Sequence, residues 1–227
     1  MTSSDGDRIA PREVSVPPLG LEGLLRLPKD AIGIVAFAHG SGSSRLSRRN
    51  NYVADAFGEA RLATLLFDLL DEEEARDRRN VFDIALLGAR LSAAAEWLKT
   101  IPETRDLPLG LFGASTGAAA ALVAAASNKD ISAVVSRGGR PDLAMEVLPK
   151  VTAPTLLIVG ALDHEVLALN RHALAALHCK KELRIVPGAT HLFEEPGTLD
   201  IVIELSWSWF EDHCGQALAE RHRGKPA

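Results

Sequence analysis

The sequence predicts an α/β architecture: a mostly parallel, doubly wound sheet preceded by an antiparallel hairpin, with no large lid domain. Three observations carry this. Fully apolar runs of strand length recur along the chain. Segments of helical spacing separate them, the pattern of a parallel sheet covered on both faces. The opening pair of short runs is joined by too few residues for a crossover, so it pairs antiparallel.

The elements follow in order. Val14–Val16 is a brief strand stopped by Pro17 and Pro18, and Leu21–Leu27 is a second, ended by Pro28. Ile32–Ala38 is the first continuous apolar strand. Arg49–Ala60 is a helix with Tyr52, Val53, Ala56 and Phe57 on one stripe. Ala63–Phe67 is a strand, Asp71–Asn80 a charged loop or helix start, and Val81–Thr100 a long helix. That helix places Phe82, Ala85, Leu86, Ala89, Ala93 and Trp97 on its predicted inner face. Then come a strand at Pro108–Phe112, an alanine-rich helix at Ser115–Ser127 and a strand at Ile131–Val135. A short helix at Pro141–Leu148, a strand at Thr155–Val159 and a helix at Val166–Leu177 follow. The series ends with a strand at Glu182–Val186 and a helix at Leu199–Cys214. Six apolar strands therefore run in series after the hairpin. Residues 1–12 are expected to be a flexible tail, 13–215 one domain and 216–227 a frayed end.

Composition bounds the function. The 227 residues are 47% hydrophobic and 24% charged, the ordinary globular balance. A net charge of −5 argues against nucleic acid or an anionic membrane as partner, since both ask for a basic face. The apolar runs at 31–38 and 117–126 fall well short of the ~20 residues of a membrane span. The polar N-terminus carries no apolar signal region. Two cysteines, Cys179 and Cys214, are too few for a disulfide framework, so reduced thiols and a cytoplasmic location are expected.

Ligands of open α/β sheets bind at the carboxyl ends of the strands. Gly113-Ala114-Ser115-Thr116-Gly117 follows a strand and opens a helix. This G-x-S-x-G turn exposes the serine hydroxyl near a helix N-terminus, where developing negative charge is favoured. A serine that merely caps the helix is the structural alternative. His39-Gly40-Ser41-Gly42-Ser43 follows the first apolar strand. Its backbone is placed to complete an oxyanion hole through the N–H of Ser41, with Gly42 next, beside that of Thr116. His39 itself reads as a strand-end histidine bonded to loop backbone. Asp163 follows the strand at 155–159 and either orients a histidine or caps the next helix; Glu165 is the nearest alternative acid. His191 follows the last strand, on a loop with Gly and Pro, downstream of both Ser115 and Asp163. The order Ser115, Asp163, His191 is the chain order of a hydrolase sheet.

The chain resembles the α/β-hydrolase fold, and within it the small uncapped enzymes of the dienelactone-hydrolase-like group. The resemblance covers about residues 14–213 and rests on H-G-S-G-S at 39–43, G-A-S-T-G at 113–117, G-A-L-D at 160–163 and G-A-T-H at 188–191. The nucleophile of dienelactone hydrolases is a cysteine, and Ser115 stands at the matching position. The resemblance therefore implies the fold and triad logic rather than the dienelactone substrate. It implies a serine hydrolase acting on small esters, lactones or thioesters, with Ser115 as nucleophile, His191 as base and Asp163 as its orienting acid. Such chemistry needs no metal and no organic cofactor. An acyltransferase or perhydrolase on the same triad, and a non-catalytic binding protein of the same fold, are the competing readings.

Only about 20 residues separate Val135 from Thr155, too few for a large lid. Arg45, Arg137 and Arg140 lie on loops at the active edge and are candidates for binding a carboxylate or phosphate on the substrate. Their structural alternative is pairing with acids, Asp142 being the nearest for Arg140.

Overall fold

The computed structural model describes residues 9–223; residues 1–8 of the expected N-terminal tail and 224–227 of the expected C-terminal one lie outside it. The chain forms an eight-stranded sheet. Its strands are β1 (Arg12–Val16), β2 (Leu21–Arg26), β3 (Gly33–Ala38), β4 (Leu62–Phe67), β5 (Leu109–Ala114), β6 (Ile131–Arg137), β7 (Thr155–Gly160) and β8 (Lys181–Val186). The spatial order is β1-β2-β4-β3-β5-β6-β7-β8. β1 pairs antiparallel with β2, and β2 antiparallel with β4; from β4 to β8 every pairing is parallel. The expected hairpin thus extends one edge, and the six strands expected in series after it are the parallel body, with the partly exposed β8 (KELRIV) at the other edge.

Helices cover both faces. They are α1 (Arg48–Glu59), α2 (Arg78–Val81), α3 (Ile84–Leu98), α4 (Thr116–Ser127), α5 (His164–Ala176) and α6 (Thr198–Arg223). One core layer packs α3, α4 and α5 on the sheet through residues such as Leu91, Ala120, Leu111 and Leu157. The other packs α1 and α6 through Phe37, Phe57, Phe112 and Phe210, whose ring centroids lie 4.8–6.0 Å apart. The alternation of strand side chains decides which layer each residue joins.

Five local expectations are corrected. In α1 the buried stripe is Asn50, Val53, Ala54 and Phe57, while Tyr52 is half exposed and its hydroxyl donates to Asp200 at 2.8 Å. The helix expected over 81–100 is broken at Phe82: α2 ends, and the Asp83 side chain accepts the Leu86 N–H at 2.9 Å to start α3 anew. The inner face of α3 is Ile84, Leu87, Gly88, Leu91, Ala94, Ala95 and Leu98, not the stripe beginning at Phe82, which is 47% exposed. An alanine-rich helix offers two faces of similar apolarity, and close packing decides between them. A Cβ on Gly88 would lie 2.6 Å from the Val123 side chain of α4, so the glycine marks the closest approach. The helix expected at 141–148 is two 3₁₀ turns, Pro141–Ala144 and Leu148–Lys150. Finally, α6 continues through Gly215 to Arg223 where a frayed end was expected.

Candidate active site

β5 sits in the middle of the parallel body, and its carboxyl end turns sharply into α4. At the turn Ser115 has φ +51° and ψ −123°, in the left-handed region that a side chain rarely adopts. Such a conformation costs on the order of 1–3 kcal/mol and persists only when its surroundings impose it. Here they do. The Ser115 N–H donates to Arg137 O at 3.2 Å, and its carbonyl accepts from Ala118 and Arg140 N–H at 3.1 and 3.0 Å. Gly113 and Gly117 let neighbouring backbone close on the turn: a Cβ on Gly117 would stand 2.1 Å from Ala38 O. Ser115 occupies the N-cap position of α4, yet its side chain makes no capping bond. The hydroxyl is left for other use.

The loop after β3 lies directly over this turn. The Ser41 N–H donates to Thr116 Oγ1 at 3.0 Å, so the Thr116 hydroxyl ties the loop to the start of α4. That side-chain role was not read from the sequence, which singled out only the Thr116 backbone. Gly42 takes φ +69° with open space around it. His39 is the structural histidine its position suggested. Nδ1–H donates to Gly40 O at 3.0 Å, and Nε2 accepts the Leu69 N–H at 3.1 Å. Both ring nitrogens are engaged, and burial pushes its pKa down, which keeps the ring neutral.

Asp163 and His191 meet after β7 and β8. His191 Nδ1 lies 2.7 Å from Asp163 Oδ2, the carboxylate side chain 14% exposed and the imidazole 38%. Asp163 is the N-cap residue of α5, but its side chain makes no cap bond and turns to the histidine instead. Glu165 is exposed on the same helix. The meeting depends on Gly160, where a Cβ would stand 2.3 Å from Ala189 O. The histidine loop is pinned by Phe193, buried at φ +54°, and by Glu195, which accepts from Thr190 N–H and Oγ1 at 3.1 and 2.6 Å. These bonds hold the Glu195 carboxyl below the usual carboxylate range. The end of β6 lies between Ser115 and His191. Arg137 O holds the Ser115 amide, and a Cβ on the next residue, Gly138, would meet His191 Nδ1 at 3.6 Å. Among the described residues no hydrogen bond joins Ser115 Oγ to His191 in this ligand-free geometry, where such bonds are commonly long. If Asp163 sets the tautomer of a catalytic His191, the role expected from the sequence, Asp163→Asn should lower kcat about 10³–10⁴-fold with little change in the thermal midpoint. Ester kinetics beside a melting curve check it.

The three arginines fare differently. Arg45 bonds Asp68 and, at 2.7 Å, Glu22, while its backbone N–H also donates to Asp68 at 2.6 Å. Arg140 is paired with Asp142 at 2.9 and 2.8 Å. Arg137 is buried, 8% exposed, with its guanidinium 5.9 Å from the Phe112 ring centre, and among the described residues its Nη1 has no hydrogen-bond partner. Burial, with Arg49 nearby, lowers its pKa to about 10. A base with a depressed folded pKa destabilises the fold at all pH values below that pKa, and the penalty fades as pH rises through it. The Phe112 face offsets part of this. Arg137→Met is therefore expected to raise stability at neutral pH by about 1 kcal/mol, read by urea denaturation, and to flatten its rise above pH 10.

The dienelactone hydrolase family model matches residues 58–206, more than half of the chain. The chain belongs to the dienelactone hydrolase family. A dienelactone hydrolase from Anabaena variabilis is 54% identical, superposes with a TM-score of 0.86, and is matched over 89% of this chain and 98% of that one. The esterase domain of a Rhodothermus marinus protein shares the fold at 19% identity, with a TM-score of 0.72 over 91% of this chain and 99% of that one. Proteins from two strains of Mycobacterium tuberculosis, provisionally named phosphoribosyl transferases, are 58% identical over 205 residues. The match takes in 89% of this chain and 46% of theirs, so the chain spans about half the length of these curated relatives. No described helix is long and apolar enough to cross a membrane.

Proposed function

We propose that this hydrolase-family protein is a serine hydrolase that cleaves small carboxylic esters, lactones or thioesters through an acyl-enzyme on Ser115. The observation that supports it most is Ser115 itself. A non-glycine residue is held at φ +51° between a central strand and a helix N-terminus, with a hydroxyl that caps nothing. Strain of this kind is maintained where a nucleophile must stand clear of the sheet.

His191 Nε2 takes the Ser115 hydroxyl proton as the oxygen attacks the carbonyl carbon. Asp163 on Nδ1 keeps the correct tautomer and stabilises the imidazolium. The Thr116 N–H holds the oxyanion, joined by the Ser41 or Gly42 N–H once the Ser41 amide exchanges its Thr116 Oγ1 partner for the substrate. The imidazolium returns the proton to the leaving group, and water then releases the acid by the same steps in reverse roles. The name given to the mycobacterial relatives belongs to chains of which this one matches under half. The groups gathered at these strand ends are those of acyl chemistry.

Incubation with a fluorophosphonate probe, followed by intact mass and peptide mapping, tests the reading together with p-nitrophenyl acetate turnover. One adduct on Ser115 is expected. A folded protein that takes no adduct and turns over no ester would overturn it.

A further inference from the structure

A cavity of about 500 Å³ opens beside the elbow. That lies within the roughly 300–1,000 Å³ range of small-molecule sites. Gly40, Ser41 and Thr116 form its near wall, so it begins at the two segments that flank Ser115. A Cβ on Gly40 would stand 2.9 Å from Ser115 Cβ, which gauges how close this wall comes. The far side is apolar, built from Leu21, Leu69, Leu70, Val81 and Leu87.

The position of the cavity relative to His191 decides which part of a substrate it receives. Most of its residues come from the loops at the ends of β2, β3 and β4, strands that lie on one side of β5, with Val81 and Leu87 from α2 and α3 and Thr116 from the start of α4. His191 lies on the other side, against Gly138 at the end of β6. The general acid must reach the leaving-group oxygen, so the leaving group faces His191. The acyl substituent on the tetrahedral carbon then points the opposite way, toward the cavity.

Charge decides what kind of acyl group fits. Four carboxylates, Glu22, Asp68, Asp71 and Glu72, line the cavity against a single guanidinium, Arg45. That guanidinium is already bonded to Asp68 and Glu22. Among the described residues no free cation of the wall remains to receive an anion, and the surplus negative charge repels one. Resting on the serine-hydrolase reading, we propose that this cavity is the acyl pocket, and that it takes uncharged apolar acyl chains of several carbons and rejects chains ending in a carboxylate. This reverses the preference that the loop arginines suggest from sequence alone.

The test compares kcat/KM for p-nitrophenyl acetate, p-nitrophenyl hexanoate and mono-p-nitrophenyl adipate, the last carrying a carboxylate in place of the terminal methyl of the six-carbon acyl chain. In the wild type, hexanoate is expected to exceed acetate by about tenfold, as its extra methylenes leave water for the apolar wall. It is also expected to exceed the adipate ester by about tenfold at low salt, a gap that narrows as salt is added. Asp71→Asn/Glu72→Gln, two exposed positions, should shrink the hexanoate-to-adipate ratio severalfold. Val81→Trp and, at an exposed wall position, Ala75→Trp should shrink the hexanoate-to-acetate ratio. Acetate turnover with a flat chain-length profile, or an adipate ester hydrolysed as well as hexanoate, would overturn the pocket assignment and leave Ser115 as nucleophile. Absence of both turnover and fluorophosphonate adduct would instead remove the hydrolase reading, and this assignment with it.

Discussion

On the proposed mechanism, Ser115→Ala is expected to lower ester turnover by about 10⁴-fold or more and to abolish the fluorophosphonate adduct, with folding like that of the wild type. The residue contributes little to stability through its hydroxyl, which makes no capping bond to α4. Alanine at φ +51° is as strained as serine, so the thermal midpoint should hardly move. A companion, Ser115→Gly, separates chemistry from conformation. Glycine adopts positive φ freely, so this variant should be more stable by about 1 kcal/mol and equally inactive. Loss of activity in both, with stability unchanged in the alanine variant and raised in the glycine variant, would show that the strain exists to present an oxygen. Retained turnover in either would remove Ser115 from the mechanism.

Gly117→Ala is expected to cost about 4 kcal/mol or more, enough to leave a domain of ordinary stability largely unfolded. The added Cβ would sit 2.1 Å from Ala38 O and 2.5 Å from His39 O. Both obstacles are backbone, and neither can retreat. β3 is hydrogen-bonded to β4 on one side and β5 on the other, up to Ala38↔Gly113. α4 cannot move off either, because it packs on α3 across the sheet face. Gly215→Ala is the matched control: it lies inside α6 with open space at its Cβ and should stabilise by about 0.5–1 kcal/mol. Urea denaturation of the two variants reads the contrast, and a Gly117→Ala protein as stable as wild type would mean that the elbow is not packed this tightly.

Much of the sheet was legible from sequence because its strands are buried on both faces. Ile34–Ala38, Leu62–Phe67 and Thr155–Gly160 are inaccessible at nearly every position, so each reads as an unbroken apolar run. Ser115, Asp163 and His191 were legible as candidates because parallel strands align their carboxyl ends. A polar residue just past such a strand has only one edge of the sheet on which to lie. Asp163 illustrates the limit of that reasoning. Its place before α5 fits a helix cap as well as an acid, and only the packing of the loops at Gly160 and Ala189 turns its carboxylate to His191.

Amphipathic faces were less legible. In α3 the choice between two alanine-rich stripes fell to Gly88 against Val123, a contact between residues 35 apart in sequence that no local period encodes. The arginines were less legible still. Arg45, Arg137 and Arg140 share a residue type and a setting near strand ends. Arg45 is bonded to Glu22 of β2 and to Asp68 just past β4, Arg137 is buried on Phe112, and Arg140 bonds its near neighbour Asp142.

Local pattern along the chain carries the succession of strands and helices, the turn that strains Ser115, and the chain order of the three candidate catalytic groups. Each of these depends on neighbours within a few residues or on uniform burial, and both leave a local pattern. Only the tertiary structure decided the sign and shape of the space beside Ser115. Leu21, Arg45, Asp68 and Val81 meet there from separate elements, and their charges and volumes combine only once the sheet has brought those elements together.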